Sequence, residues 1–258
     1  MEIFSKEELK ERLDSLVEKY NVPEFVDNDP ISIPHRFSRK GDIEVSAFLI
    51  SIIAWGNRKA ILKSGQKMLE RLDFAPEDFI RNSSEAERQK AAEGFVHRTL
   101  SGVDFLETLN LLSAFYRRGT SLGDFFEESY MRTENIKTVL SLFRGEFLSG
   151  TRSLSIHRHI SSVDKGSACK RLCMMLRWMV RCDGKGVDFG LWDKIPPSAL
   201  YIPLDVHSAR QGRLFGILER KSNDWRAAEE LTQSLRELDP LDPTKYDFAL
   251  FGLGAIGE

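Results

Sequence analysis

Three observations predict an all-α fold. Apolar residues recur at helical spacing in most segments, capping signals open several of them, and no segment alternates apolar and polar side chains as a half-buried strand does. Ser5 with Glu8 forms a capping box ahead of Leu9, Leu13, Leu16 and Val17 on one helix face. Residues 24–40 carry Pro30 and Pro34 and read as a loop. Residues 42–55 are mostly apolar and predict a helix buried all round. Ser84 and Glu87 make a second capping box, for a helix running towards Arg98. Segments 104–116, 121–130 and 134–147 predict three more helices, and 149–165 is polar and irregular. Segment 166–181 predicts a helix with Leu172, Met175, Leu176 and Met179 inward. Residues 183–204, with Gly184, Gly186, Pro196, Pro197 and Pro203, form a connection. Helices follow over 205–219, 223–237 and 243–251, the last behind the N-cap candidate Asp242.

A chain of 258 residues can bury a core as one large domain or as two lobes. Its 41% hydrophobic and 29% charged residues are those of a soluble globular protein, and its best apolar run, 45–55, is about half a membrane span. The first eight residues, MEIFSKEE, do not resemble a secretory or organelle signal. Cys169, Cys173 and Cys182 cannot close a disulfide framework and predict reduced thiols in the cytoplasm. The net charge of -2 argues against indiscriminate nucleic-acid binding. From Arg152 to Lys185, however, eight Lys or Arg face two acids, a local charge of +6. Such a patch suits a phosphate backbone; the plain alternative is a solvated helix face.

Two positions carry the candidate chemistry. Lys170 closes the run Gly166-Ser167-Ala168-Cys169-Lys170, beside Arg171 and Arg177 and the apolar Cys173 and Met174. Cationic and apolar neighbours favour the free, attacking form of an amine. The plain alternative is a surface lysine on a basic helix. Asp205 stands 35 residues later, after Ile202-Pro203-Leu204 and before a helix, a natural N-cap. It opens Asp205-x-His207-x-x-Arg210-x-x-Arg213-Leu214-x-Gly216. Capping and a catalytic role do not exclude one another.

That spacing, with Lys170 before it, resembles the helix-hairpin-helix DNA glycosylases, which excise damaged bases with one aspartate and, in lyase members, one lysine. The resemblance implies a two-lobed all-α fold, with residues 1–36 and 203–258 in one lobe, 37–202 in the other, and a hairpin near 160–181. It implies Lys170 and Asp205 as catalytic residues, converging in a cleft between the lobes. Gly166, Ser167, Arg171, Arg177, Arg181, Arg210 and Arg213 would face DNA, and His207 would support the turn. The segment Ala54-Trp55-Gly56-Asn57-Arg58 resembles the helix end that lines the base pocket, so Trp55, Asn57 and Arg58, with Phe189 and Trp192, are pocket candidates; Trp55 as plain core is the alternative. Two features depart from the pattern. Ala168 stands where the hairpin has a second glycine, and the Lys170–Asp205 interval is about twice the usual one. The longer connection resembles archaeal 8-oxoguanine glycosylases. The run Cys-Lys-Arg-Leu-x-Met-x-Leu-Arg-Trp-Met-Val-Arg at 169–181 is similar to that of an uncharacterised bacterial family, DUF2400, over nearly the whole chain.

The resemblance implies a bifunctional glycosylase and AP lyase on double-stranded DNA carrying an oxidised base, 8-oxoguanine first. It would need no cofactor or metal and no membrane, and would act as a nucleoid-associated monomer. A non-catalytic DNA- or RNA-binding protein on the same fold is the alternative. A metal-dependent phosphohydrolase built on His157, His159, His207 and Asp205 is a third reading. Three cysteines do not supply the four-cysteine iron–sulfur loop of some relatives.

Overall fold

The computed structural model describes residues 4–151 and 153–254. Arg152, a member of the basic patch, lies outside the described residues. Among the described residues the fold is all-α apart from one two-residue-per-strand hairpin. Among the described residues no helix is long and apolar enough to cross a membrane.

Helix α1 (Lys6–Tyr20) starts where expected: Ser5 accepts from the Glu8 amide and Glu8 accepts from the Ser5 amide. Such a cap contributes about 1 kcal/mol. Segment 24–40 is more ordered than a loop. It holds the single turn α2 (Glu24–Asp27) and two 3₁₀ turns at 30–32 and 34–36, each with proline in its first position, where the missing N–H costs nothing. Helix α3 (Lys40–Ile53) is buried continuously from Asp42 to Ile53, as its apolar run predicts. Two helices that the sequence reading does not place follow, α4 (Arg58–Arg71) and α5 (Pro76–Asn82). The second capping box opens α6 (Glu85–Ala92), which stops well before Arg98. The chain turns at Gly94 (φ +63°) into an antiparallel hairpin, β1 (Val96–His97) with β2 (Leu100–Ser101). Then come α7 (Gly102–Arg117), α8 (Leu122–Thr133) and α9 (Ile136–Leu148).

The expected helix over 166–181 begins four residues late, as α10 (Lys170–Val180). No α-helix directly precedes it: the described residues of 149–169 carry only a 3₁₀ turn at 156–158. The expected tight hairpin of two helices near 160–181 is therefore replaced by a loop that delivers Lys170 as the first residue of α10. Helix α11 (Val206–Leu214) ends early because the chain turns at Gly216 (φ +72°). Helix α12 (Trp225–Leu238) is capped by Asp224, and α13 (Tyr246–Gly252) follows a 3₁₀ turn at 243–245. The Asp242 side chain caps neither; it bonds Arg181.

The chain divides into two compact units. The first comprises residues 1–25, 134–137 and 162–258, the second 26–133 and 138–161. Residues 162–202, expected in the central lobe, thus cluster with the terminal helices. In the first unit α1 and α11 pack on α13. Leu9, Leu13, Leu204, Ala209, Leu231, Leu235, Tyr246 and Leu250 form its core. In the second, Phe48 of α3 meets Phe143 and Phe147 of α9 edge-on, and Phe126 of α8 packs on Phe143.

Candidate active site

Lys170 is positioned by what lies before it. Gly166 takes φ +80° and Cys169, the N-cap of α10, takes φ 48°, so the chain makes two left-handed turns within four residues. Ser167 bridges Asp224, the Gly166 carbonyl accepts the Trp225 amide at 2.9 Å, and the Ser167 hydroxyl accepts the Cys169 amide at 3.2 Å. Ala168, which replaces the expected glycine, is buried and belongs to the core of the first unit. The half-buried Lys170 amine contacts the Met174 sulfur at 3.4 Å, one turn on. Among the described residues no carboxylate lies within ion-pair distance of it.

Asp205 caps α11. Its Oδ1 accepts the amides of His207 at 2.8 Å and Ser208 at 3.0 Å, and Ser208 answers by accepting the Asp205 amide. Oδ2 accepts nothing among the described residues. One oxygen is thus engaged in the fold and the other is available for chemistry. His207 shares its Nδ1 with the Gly254 carbonyl at 2.8 Å and packs edge-on against Phe251. A carbonyl partner makes Nδ1 the donor and leaves Nε2 unprotonated in the neutral ring. His207 thus ties the start of α11 to the chain just beyond α13.

Asp247, on α13, links the two candidate catalytic residues. It is buried, and burial pushes its carboxyl up to about 6 from the ordinary 3.8. The Arg177 and Lys170 cations pull it down, and the Asp205 charge pushes it further up. Lys170 and Asp205 therefore both lie within electrostatic reach of one carboxyl. Sequence reasoning missed Asp247. The signal was available: a single acid flanked by Tyr246, Phe248, Ala249 and Leu250, all buried.

Arg177 and Arg181 correct the sequence reading. That reading puts them on a DNA-facing surface, but both are buried, at 3% and 2% exposure. Arg177 donates to Asp247 at 2.5 Å, and its Nε lies 3.3 Å from Asp188. Arg181 bonds Asp188 at 2.5 Å, Asp183 at 2.9 Å and Asp242 at 2.8 Å. Burial opposes its charge, but these carboxylates outweigh burial and raise its pKa. Both guanidiniums fasten α10 to the 183–188 loop and to the chain at α13, and neither can reach a phosphate from there. Trp192 is also fully buried and offers no face to a base; Phe189 is half-buried. Arg213 braces the turn after α11 through the carbonyls of Arg220 and Lys221. Of the expected DNA-facing residues, Gly166 and Arg210 are exposed, and Ser167 and Arg171 half-buried. Burial lowers the Arg171 pKa.

In the second unit Trp55 is half-buried, Asn57 caps α4 by accepting the Ala60 amide at 3.0 Å, and Arg58 is its first residue. His157 and His159 do not form a pair. His159 is buried 3.7 Å from Asp104, whereas the His157 ring meets Arg144 at 3.1 Å. Among the described residues no three His, Cys, Asp or Glu side chains are grouped to hold a metal. Two surface cavities, of about 450 and 170 Å³, are lined by second-unit residues such as Asp78 and Glu87, and Phe115 and Glu128; neither includes Lys170 or Asp205.

Neither a curated protein nor a solved structure matches the chain. Residues 29–256 match the family described as a protein of unknown function, DUF2400. With most of the chain covered by that match, the protein belongs to the DUF2400 family.

Proposed function

We propose that the protein is a base-excision DNA repair enzyme of the helix-hairpin-helix glycosylase type, a bifunctional glycosylase and AP lyase acting through a lysine Schiff base. One observation carries this reading. The half-buried Lys170 amine, without a carboxylate partner among the described residues, shares its electrostatic neighbourhood with the buried Asp247 and with Asp205. An amine free of any carboxylate ion pair, within electrostatic reach of a carboxyl poised near neutrality, is a candidate nucleophile.

Asp247 takes the proton of the Lys170 ammonium by way of an intervening water. The amine nitrogen attacks C1′ of the flipped nucleotide, the N-glycosidic bond breaks, and the base departs with the bonding electrons and gains a proton. The free Oδ2 of Asp205 stabilises the positive charge that develops on the sugar. The sugar ring opens to an imine on Lys170, loss of a C2′ proton expels the 3′ phosphate, and water releases the lysine. Double-stranded DNA is the substrate, and the longer Lys170–Asp205 interval favours 8-oxoguanine as the excised base. Gly166, Arg171 and Arg210 remain as phosphate contacts in this unit.

A second reading, a non-catalytic nucleic-acid-binding protein, is favoured by one observation. Among the described residues no helical hairpin leads into Lys170, whereas Lys59, Lys63 and Lys67 of α4 stand exposed without a carboxylate partner. Borohydride trapping on duplexes carrying a panel of oxidised bases, with EDTA present, separates the readings. The enzyme gives a covalent adduct that Lys170→Ala abolishes along with strand cleavage. Strand cleavage at full rate by Lys170→Ala overturns the mechanism. Salt-sensitive binding without an adduct favours the binder, and turnover that EDTA suppresses favours a metal-dependent phosphohydrolase.

A further inference from the structure

We propose that the exposed face of α4 in the second unit, with Arg98 beside it, is a surface that tracks a nucleic-acid phosphate backbone. It rests on the nucleic-acid part of the function above and is independent of the lysine chemistry. Lys59, Lys63 and Lys67 recur every fourth residue, so their ammonium groups follow one another at about 6 Å intervals along one side of the helix. All three are exposed, and none has a hydrogen-bond or ion-pair partner among the described residues. In the other unit Lys10, Lys137, Lys185 and Lys245 each meet a carboxylate. A solvated helix face usually mixes charge signs. Between Glu44 and Glu70 the chain carries four cations and no acid.

The hairpin supplies a second, independent observation. His97 is buried, and its Nδ1 lies 2.8 Å from the Ser64 hydroxyl of α4, which pins the hairpin to that helix. Burial lowers the His97 pKa and the Arg98 charge lowers it further, so the ring is neutral and the cation stands outside it. Arg98 opens the turn at φ 54°, a left-handed conformation that costs a non-glycine residue on the order of 1 kcal/mol. That backbone places its guanidinium 4.1 Å over the Trp55 ring at the entry to α4. Gly56, at φ +93°, passes beneath; a Cβ there would collide with the guanidinium. Arg98 is exposed and has no carboxylate partner among the described residues. A guanidinium flat on an aromatic ring keeps its N–H edges free, and that fork matches a phosphate.

Four unpaired cations therefore adjoin along one helix: three point charges in a row and one preorganised fork. The opposite face of α4, with Ile61, Gly65, Met68 and Leu69, is buried in the core, so the helix has no apolar face to insert into a lipid surface. A regular line of positive charge fits a regular line of phosphates.

The test is fluorescence-anisotropy binding to an undamaged duplex between about 50 and 200 mM salt, with thermal melting to confirm folding. In the Lys59→Gln, Lys63→Gln, Lys67→Gln triple variant, the slope of log affinity against log salt should shrink by about 0.9 for each phosphate left without its cation. Affinity at the lower salt should fall tenfold or more. The corresponding triple Lys→Arg protein should keep the native slope, and Arg98→Gln should reduce it by about 0.9, the share of one phosphate. Trapping by the wild-type protein is scored separately. A reduced slope without any adduct upholds this surface and sinks the enzyme; an adduct with an unchanged slope does the reverse. An unchanged slope in the triple variant overturns the proposal, as does loss of binding to phosphatidylserine vesicles or to an acidic peptide while duplex binding persists.

Discussion

Arg177 and Asp247 meet at 2.5 Å inside the first unit, yet the carboxyl stays poised at about 6. Desolvation outweighs the attraction of the guanidinium, which Asp188 shares from its other edge. A carboxyl held there changes charge close to neutral pH, where a free aspartate is already fully ionised.

A pH dependence follows. In the proposed mechanism the ionised form of Asp247 accepts the Lys170 proton, so single-turnover base release should rise with pH through about 6. Asp247→Asn should flatten that limb and slow release, with duplex affinity nearly unchanged. The sign for stability is opposite. The folded-state value is raised, so the native protein binds the extra proton between about 4 and 6 and Asp247 favours folding as pH falls through that window. The measurements are rate profiles and chemical denaturation from about pH 4 to pH 8.

The capping of α11 by Asp205 and its proposed catalytic role can be separated by substitution. Asparagine is as good an N-cap as aspartate, so Asp205→Asn should melt close to wild type while base release falls by about 10²-fold or more. Asp205→Ala should lose the cap as well, about 1 kcal/mol. Calorimetry beside single-turnover kinetics distinguishes the two. An Asp205→Asn protein with full activity would remove the carboxylate from the mechanism.

The buried ion-pair network should dominate the stability of the first unit. Asp188 accepts from Arg181, lies in ion-pair contact with Arg177 at 3.3 Å, and has no exposed side-chain surface. Asp188→Ala leaves two buried guanidiniums short of a partner and should cost about 3–5 kcal/mol by urea denaturation. Arg181→Lys should recover little of an Arg181→Ala loss, because a single ammonium cannot span Asp183, Asp188 and Asp242 as the guanidinium does.

Ala168→Gly restores the glycine that the hairpin pattern expects, and it should not help. Ala168 is buried in the core of the first unit, so removal of its methyl should cost about 1 kcal/mol and leave duplex affinity where it was. A gain in affinity, measured by the same anisotropy titration, would mean that this loop approaches the phosphate after all.

Local chemistry was legible in the sequence. The Ser5–Glu8 and Ser84–Glu87 boxes, the uninterrupted apolar run of α3 and the N-cap role of Asp205 each depend on neighbours a few residues away. What was not legible depends on distant returns of the chain. Helical spacing places Arg177 and Arg181 on a helix, but only the fold brings Asp242 and Asp247 back to neutralise them. The same return makes Asp247 a neighbour of Lys170 and Asp205, and folding likewise buries Trp192. The hairpin at 96–101 has two residues per strand, too few for any alternation to show. Helix α4 did carry a legible signal, since Ile61, Met68 and Leu69 recur at helical spacing on its buried face.

The Gly166–Trp225 and Ser167–Asp224 links have a consequence for how the chain is made. On the ribosome, residues 166–170 emerge long before the segment that clamps them, and Asp247 emerges later still. Until α12 and α13 have been translated, the amine of Lys170 has neither a fixed address nor its acidic neighbour. The surroundings proposed to make Lys170 reactive are therefore complete only once α12 and α13 are in place.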